Sequence, residues 1–281
     1  RPTRRSSDST STTVGSINRG SSSLRSAGPI AAALVLVLGL AAGARGEVEQ
    51  EGNLIVSFDG GISPHSLPRD EPAPVAVSIG TAFRTSDAAD LPPQLRRISV
   101  AINRDGRLFD RGLPTCRVRK VQPATIAAAR RVCGGAIVGS GRVRVLVHLP
   151  NQRSFTVKGP LLVFNAERSG GHRRLLVQIY SRRPPSALLL TFRVVRRKGT
   201  FGTVITTALP KSARKWAYVT YFAMRLRRTY TYHGRRHSYV SAACDAPAGF
   251  PGAVYPFARA KFEFAGGREV TSTLVRDCKV R

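Results

Sequence analysis

The chain has 281 residues, of which 45 are lysine or arginine and 16 are acidic, giving a formal net charge of +29 with 42% hydrophobic residues. That hydrophobic share excludes a wholly disordered chain and is enough for a real core. The charge disfavours acid-rich function classes and points to polyanions: nucleic acid, an anionic wall polymer or an acidic lipid surface. Only seven of the basic residues are lysine, so a second explanation stays open: codon usage in a high-GC genome writes arginine without selecting a partner.

From the amino end, residues 1–29 are rich in Ser, Thr and Arg with one acid, Asp8. This is the composition of a disordered tail or of a transit peptide. The first residue is Arg1, which fits a fragment or a reading frame extended upstream of its start. Residues 30–44 read IAAALVLVLGLAAGA, long enough for the apolar region of a signal peptide and short for a bilayer-spanning helix of about 20 residues. Arg25 precedes the run and Ala42-Gly43-Ala44 closes it, so cleavage is expected after Ala44, with an uncleaved signal anchor as the alternative. Removal of residues 1–44 takes away five arginines and one aspartate and leaves a charge of +25. The mature protein is then secreted or extracytoplasmic, with no stable membrane span.

Residues 48–281 read as one domain. Short runs rich in Val, Ile, Thr, Phe and Tyr alternate at period two between Gly and Pro. They predict strands over 54–58, 75–84, 97–103, 117–121, 136–149, 154–165, 175–180, 188–195, 201–209, 217–224, 226–232, 260–265 and 269–275. Asp105-Gly106, Lys198-Gly199 and Gly266-Gly267 supply hairpin turns. In the last hairpin Phe262 and Phe264 fall on one face while Lys261, Glu263 and Ala265 fall on the other. Residues 123–132 form the exception: a proline start, helix formers and a Gly134-Gly135 stop predict one short helix. So many half-buried strands imply an all-β fold, a two-sheet antiparallel β-sandwich of jelly-roll type.

The four cysteines, Cys116, Cys133, Cys244 and Cys278, include no C-x-x-C pair and no histidine placed for zinc. The local pairings Cys116–Cys133 and Cys244–Cys278 are expected, because each closes a short segment between neighbouring elements. No nucleotide or cofactor fingerprint is present, and Gly139-Ser140-Gly141 lacks the spacing of a hydrolase elbow; it predicts a bulge or a close backbone contact. His233 and His237 are four apart but fall at a hairpin tip among arginines, which speaks against a metal site. Glu263 and Glu269 face each other across the last hairpin, where Lys261 and Arg268 neutralise them, so no acid pair suited to glycoside cleavage emerges.

The region with a binding flavour is MRLRRTYTYHGRRHSY at 224–239. Alternation puts Met224, Leu226, Arg228, Tyr230 and Tyr232 on one face, and Arg225, Arg227, Thr229, Thr231 and His233 on the other. Arg225, Arg227, His233, Arg235 and Arg236 are therefore candidate polyanion-binding residues, because guanidinium forks suit phosphate, sulfate and carboxylate. Arg182-Arg183 and Arg196-Arg197-Lys198 extend that surface. The alternative is a solvated outer strand with core-facing tyrosines. Trp216, Tyr218, Thr220 and Phe222 share a face, as a sugar-stacking row or as core.

The stretches RRISVAINRDGRLFDRGLPTC at 96–116, KGTFGTVITTALP at 198–210 and CDAPAGFPGAVYPFARAKFEFAGG at 244–267 resemble a group of exported proteins of unassigned function from high-GC actinobacteria. The resemblance spans residues 50–281 and implies export and paired cysteines, with no activity to transfer. Three functions stay open on the sequence. The first is a non-catalytic binding or envelope-associated protein that engages an anionic envelope or extracellular polymer. The second is a carbohydrate-active enzyme on a jelly-roll sandwich, and the third is a structural secreted protein whose charge is compositional.

Overall fold

A computed structural model describes residues 46–122 and 124–281. The tail and export segment expected over 1–44 lie outside the described residues, as does Pro123, the expected start of the helix. Among the described residues 60% are strand and 9% helix, so the all-β expectation holds.

The chain opens with the hairpin β1 (Glu47–Glu51) and β2 (Leu54–Ser63), followed by the short β3 (Ser66–Leu67) and β4 (Ala73–Pro74), then β5 (Ala76–Thr85), β6 (Leu95–Ile102) and β7 (Gly106–Leu108). Two helices, α1 (Val118–Val121) and α2 (Ile126–Cys133), precede the long meander β8 (Ile137–Val147), β9 (Phe155–Ser169), β10 (His172–Arg182), β11 (Pro185–Arg196) and β12 (Thr203–Ala208). After α3 (Lys211–Arg214) come β13 (Ala217–Leu226), β14 (Thr229–Tyr232), β15 (Arg235–Ser238), β16 (Val240–Ala242), β17 (Gly252–Phe264) and β18 (Glu269–Val280).

Where two packed sheets were expected, hydrogen bonding runs unbroken through 13 strands in the order β1-β2-β5-β13-β8-β9-β10-β11-β12-β6-β17-β18-β3. Two small sheets, β14-β15 and β4-β16-β7, complete the fold. The large sheet curls until its two ends meet. The last strand, β3, follows β2 in sequence after only Pro64 and His65, and Arg276 of β18 reaches β2 through Nε to the Gly60 carbonyl (2.6 Å) and Nη2 to Asp59 (3.1 Å). The curl brings distant strands face to face around a phenylalanine cluster. Phe83 on β5 meets Phe262 and Phe264 on β17 edge to face at 5.1 and 5.4 Å, and Phe58 meets Phe262 at 6.0 Å. Edge-to-face contact suits the ring quadrupole. One large apolar cluster therefore fills the interior, and Phe262 and Phe264 sit in it as expected.

The meander is buried on both faces, which explains its near-continuous apolar runs. Inward, Val163, Leu175 and Val177 join the main core; outward, Leu162, Phe164 and Leu176 form a second cluster with Cys116, Val121, Ala129 and Cys133. The helical segment covers that outer face. Thr125 caps α2, its hydroxyl accepting from the Ala128 N–H at 3.2 Å, and Gln178 on β10 donates to the carbonyls of Val121 and Ala124. The strand expected at 117–121 is thus α1: its one buried residue, Val121, packs on the sheet. Both expected disulfides form, Cys116–Cys133 pinning α2 and Cys244–Cys278 tying the approach to β17 onto β18.

Two turns behave as expected. Gly199 (φ 97°) reverses β11 into β12, and Gly266 and Gly267 (φ 75° and 77°) reverse β17 into β18. The Asp105-Gly106 hairpin does not form. Asn103 organises a turn there instead, its side chain accepting from the Asp105 N–H and its carbonyl from the Gly106 N–H, and β7 pairs with β16 rather than with β6. The Gly139–Gly141 segment shows both of its expected features. A register shift lies at Ile137/Gly139, and a Cβ on Gly141 would fall 1.9 Å from the Ala223 carbonyl of β13.

Candidate functional site

The inner face of the curled sheet changes character along its strands. On β10 the inward residues run Val177, Leu175, Arg173; on β11 they run Leu190, Phe192, Val194, Arg196; on β12 they run Thr207, Ile205, Thr203. At this one end the columns become polar and open into a cleft of about 820 Å³, a volume suited to a small ligand or a few units of a polymer. The sheet β4-β16-β7 forms another wall and β15 reaches the rim.

Arginines 107, 168, 173, 196 and 236 line this cleft with His172 and His237, and its lining holds no carboxylate. Asp110 stands behind it, its side chain 10% exposed, and pairs with Arg173 at 3.0 Å and Arg168 at 3.3 Å. Arg173 also donates to the Leu108 carbonyl at 2.7 Å, so its guanidinium is held in place. His172 meets the Arg193 guanidinium. Arg107, Arg196 and Arg236 are exposed and make no ion pair or side-chain hydrogen bond among the described residues. Thr203 is 2% exposed and its hydroxyl lacks a hydrogen-bond partner. Of the four buried side-chain atoms without partners among the described residues, it is the one on a cleft-lining residue.

The rim is built by aromatic packing. Phe109 stacks on His237 at 4.7 Å and on Tyr230 at 6.5 Å, and the Tyr230 hydroxyl donates to the carbonyls of Phe109 and Arg111. Tyr232 lies over Gly112 so closely that a Cβ there would overlap its ring. Burial, reinforced by the nearby Asp110 charge, pushes the Tyr230 phenol up to about 12 and Tyr239 upward as well. Both stay neutral at ordinary pH.

The sequence-predicted residues fall in different places. Arg236 lines the cleft. His233 and Gly234 form the turn of the β14-β15 hairpin with φ of 50° and 70°, and Arg235 sits opposite Tyr232. Arg225 lies exposed on β13 between Ser78 and Ser140, and Arg227 is exposed beyond it; neither lines the cleft. The alternation over 225–233 survives the break between β13 and β14, with Leu226 buried and Tyr230 and Tyr232 half-buried. Arg196 belongs to the cleft, whereas Arg182 and Arg183 sit at the opposite end of the meander, nine residues or about 30 Å along β10 from Arg173. The Trp216 row is broken: a bulge at Val219/Tyr221 leaves Val219 and Phe222 facing the core and Trp216 36% exposed. Glu263 and Glu269 do face each other, bridged by Lys261 at 4.0 and 2.9 Å, but the second cation is Arg97 and not Arg268, which donates to Asn53.

Sequence reasoning missed Arg107, Arg168, Arg173 and His172. Arg168 and Arg173 flank the Gly170-Gly171 reversal between β9 and β10, a local signal of clustered charge; Arg107 joins them only through the pairing of β7 with β16. No helix among the described residues is long and apolar enough to cross a membrane. The two disulfides suit an oxidising, extracytoplasmic compartment. Comparisons with family models, with curated proteins and with solved structures found no match.

Proposed function

We propose that the protein is an exported, non-catalytic binding protein that engages an anionic polymer of the cell envelope or extracellular space, and that the arginine cleft holds the polymer's anionic groups. The observation that carries this reading is the convergence of five arginines in one concavity whose lining holds no acid, three of them without an ion pair among the described residues. A charge that reflected codon usage alone would have no reason to place five arginines in one concavity without an acid in its lining. Low-dielectric walls focus the field of such a cluster and raise the local concentration of anions. Arg225, Arg227 and Arg235 add positive charge outside the cleft, with the polar His233 exposed at the hairpin turn beside them. Export through residues 30–44, with cleavage after Ala44, accords with the disulfides.

A carbohydrate-active enzyme is less well supported, because the cleft offers no pair of carboxylates and the aromatic row at Trp216 is interrupted. The reading is tested by titrating the purified protein with a panel of polyanions and neutral glycans at low and high salt. Binding to polyanions that weakens steeply with salt is expected, since bound arginines release counterions. Salt-insensitive binding to one neutral glycan, or no polyanion binding at all, would overturn it.

A further inference from the structure

We propose that the cleft reads chain ends: it seats a single terminal phosphate monoester against Thr203, between Arg173 and Arg196, and does not grip a polyanion along its length. This rests on the anion-binding reading above and narrows it.

Thr203 is the floor. By register it lies beside Arg196 on one flank and Ile102 on the other, and directly opposed residues in a sheet hold their side chains on one face a few ångströms apart. Arg173 stands one strand further, opposite Val194. Elsewhere on the same strand the buried hydroxyl of Thr207 donates to the Thr191 carbonyl at 2.8 Å; that of Thr203 has no partner. A buried donor left unmade is costly; the oxygen is covered as the side chains stand, so an oxyanion oxygen that satisfies it does so by displacing the neighbouring cleft side chains.

The floor is also a stop. The adjoining space that Thr203 also lines, shared with Ile102, Leu226 and Phe257 and with the polar Asn103, Asp105 and Arg107, holds about 30 Å³, room for one water. A chain cannot thread onward into the core. A terminal phosphate offers three free oxygens and up to two negative charges, enough for the hydroxyl, the free fork of Arg196 and an N–H that Arg173 does not spend on Leu108 or Asp110; an internal diester offers two oxygens and one charge. The unpaired Arg107 and Arg236 at the rim then meet the next anionic unit.

The test titrates the full protein, by calorimetry, with inorganic phosphate, tripolyphosphate and long-chain polyphosphate, using wild type, Thr203→Val and Thr203→Ser. End-on binding predicts equal affinity per chain end for the two polyphosphates and no more than two protein molecules on a chain, however long. Thr203→Val keeps the shape and removes the orphan hydroxyl, so it melts no lower than wild type and binds each phosphate about tenfold more weakly; Thr203→Ser binds as wild type. Many proteins per long chain, affinity rising with length and indifference to Thr203→Val would overturn the end-on site while leaving polyanion binding in place. If the polyanion panel binds but phosphates do not, the phosphate assignment falls alone. If nothing anionic binds, both readings fall.

Discussion

Asp110 shows how a single residue holds the cleft in shape. The Asp110 carboxylate, nearly buried, is the one acid among the described residues that pairs with cleft arginines, and it fixes two of them at 3.0 and 3.3 Å. Asp110→Asn is expected to destabilise by about 1–3 kcal/mol, since charged hydrogen bonds are lost in a partly shielded site; chemical denaturation measures this, and an unchanged midpoint would argue against it. The tyrosines give a pH signature. Burial raises the phenols of Tyr230 and Tyr255 to about 12 and that of Tyr239 further, against an ordinary value of 10.0. Groups whose folded pKa is raised contribute stability in full below the unfolded pKa and lose it as pH climbs. Stability is therefore flat through neutral pH and falls from about pH 10 upward. An ultraviolet titration should show Tyr230, Tyr239 and Tyr255 ionising only above pH 10 and together with unfolding; ionisation of these three at pH 10 in the folded protein would contradict the packing. At this scale the sequence was informative where chemistry is local. Cysteine spacing gave both disulfides, and alternation gave the exposure of Arg225 and Arg227. It was silent on Arg107, Arg168 and Arg173, because strand pairing between distant segments brings them together.

Among the elements, the glycines of β8 and α2 make opposite predictions from one chemical change. Gly141 touches β13, so Gly141→Ala must push the strands apart and is expected to cost about 3 kcal/mol. Gly134 caps α2 at φ −54° with nothing near its missing Cβ, so Gly134→Ala is expected to stabilise by about 0.5 kcal/mol. Thermal melts of the two variants settle both signs. Breaking Cys116–Cys133 removes a closure of 17 residues and Cys244–Cys278 one of 34, worth roughly 3 and 4 kcal/mol if chain entropy dominates. Element type was legible wherever period two was clean. It failed where a competing local interaction won: the Asn103 side chain captured the Asp105-Gly106 turn, and a bulge shifted the face of β13 at Val219. The strand expected at 117–121 became a helix because its neighbour, the disulfide-bonded α2, anchors it on an already complete sheet.

For the whole molecule, the decisive feature is how one sheet closes on itself. Strand count alone suggested two sheets, and no short-range signal reports that β3 returns to β18 or that Arg276 reaches across to Asp59. Arg276 is 8% exposed and joins the two ends of the sheet, while its partner Asp59 is largely solvated, so Arg276→Ala is expected to cost about 2 kcal/mol through its lost charged hydrogen bonds and to raise hydrogen exchange in β2 and β18 above that in the meander. The closure leaves one end of the inner face open, and the cleft arginines on which the proposed anion binding rests stand at that end. The most direct measurement is the salt dependence of polyanion binding by the triple variant Arg107→Ala, Arg196→Ala, Arg236→Ala beside Arg225→Ala, Arg227→Ala. None of these arginines is in an ion pair among the described residues, so both variants should fold. If the cleft is the site, the triple variant binds far more weakly and its log–log salt slope falls by about three, while the outer pair changes little. Equal losses per arginine in the two variants would mean that the charge acts as a diffuse coat and that the cleft is not a binding site.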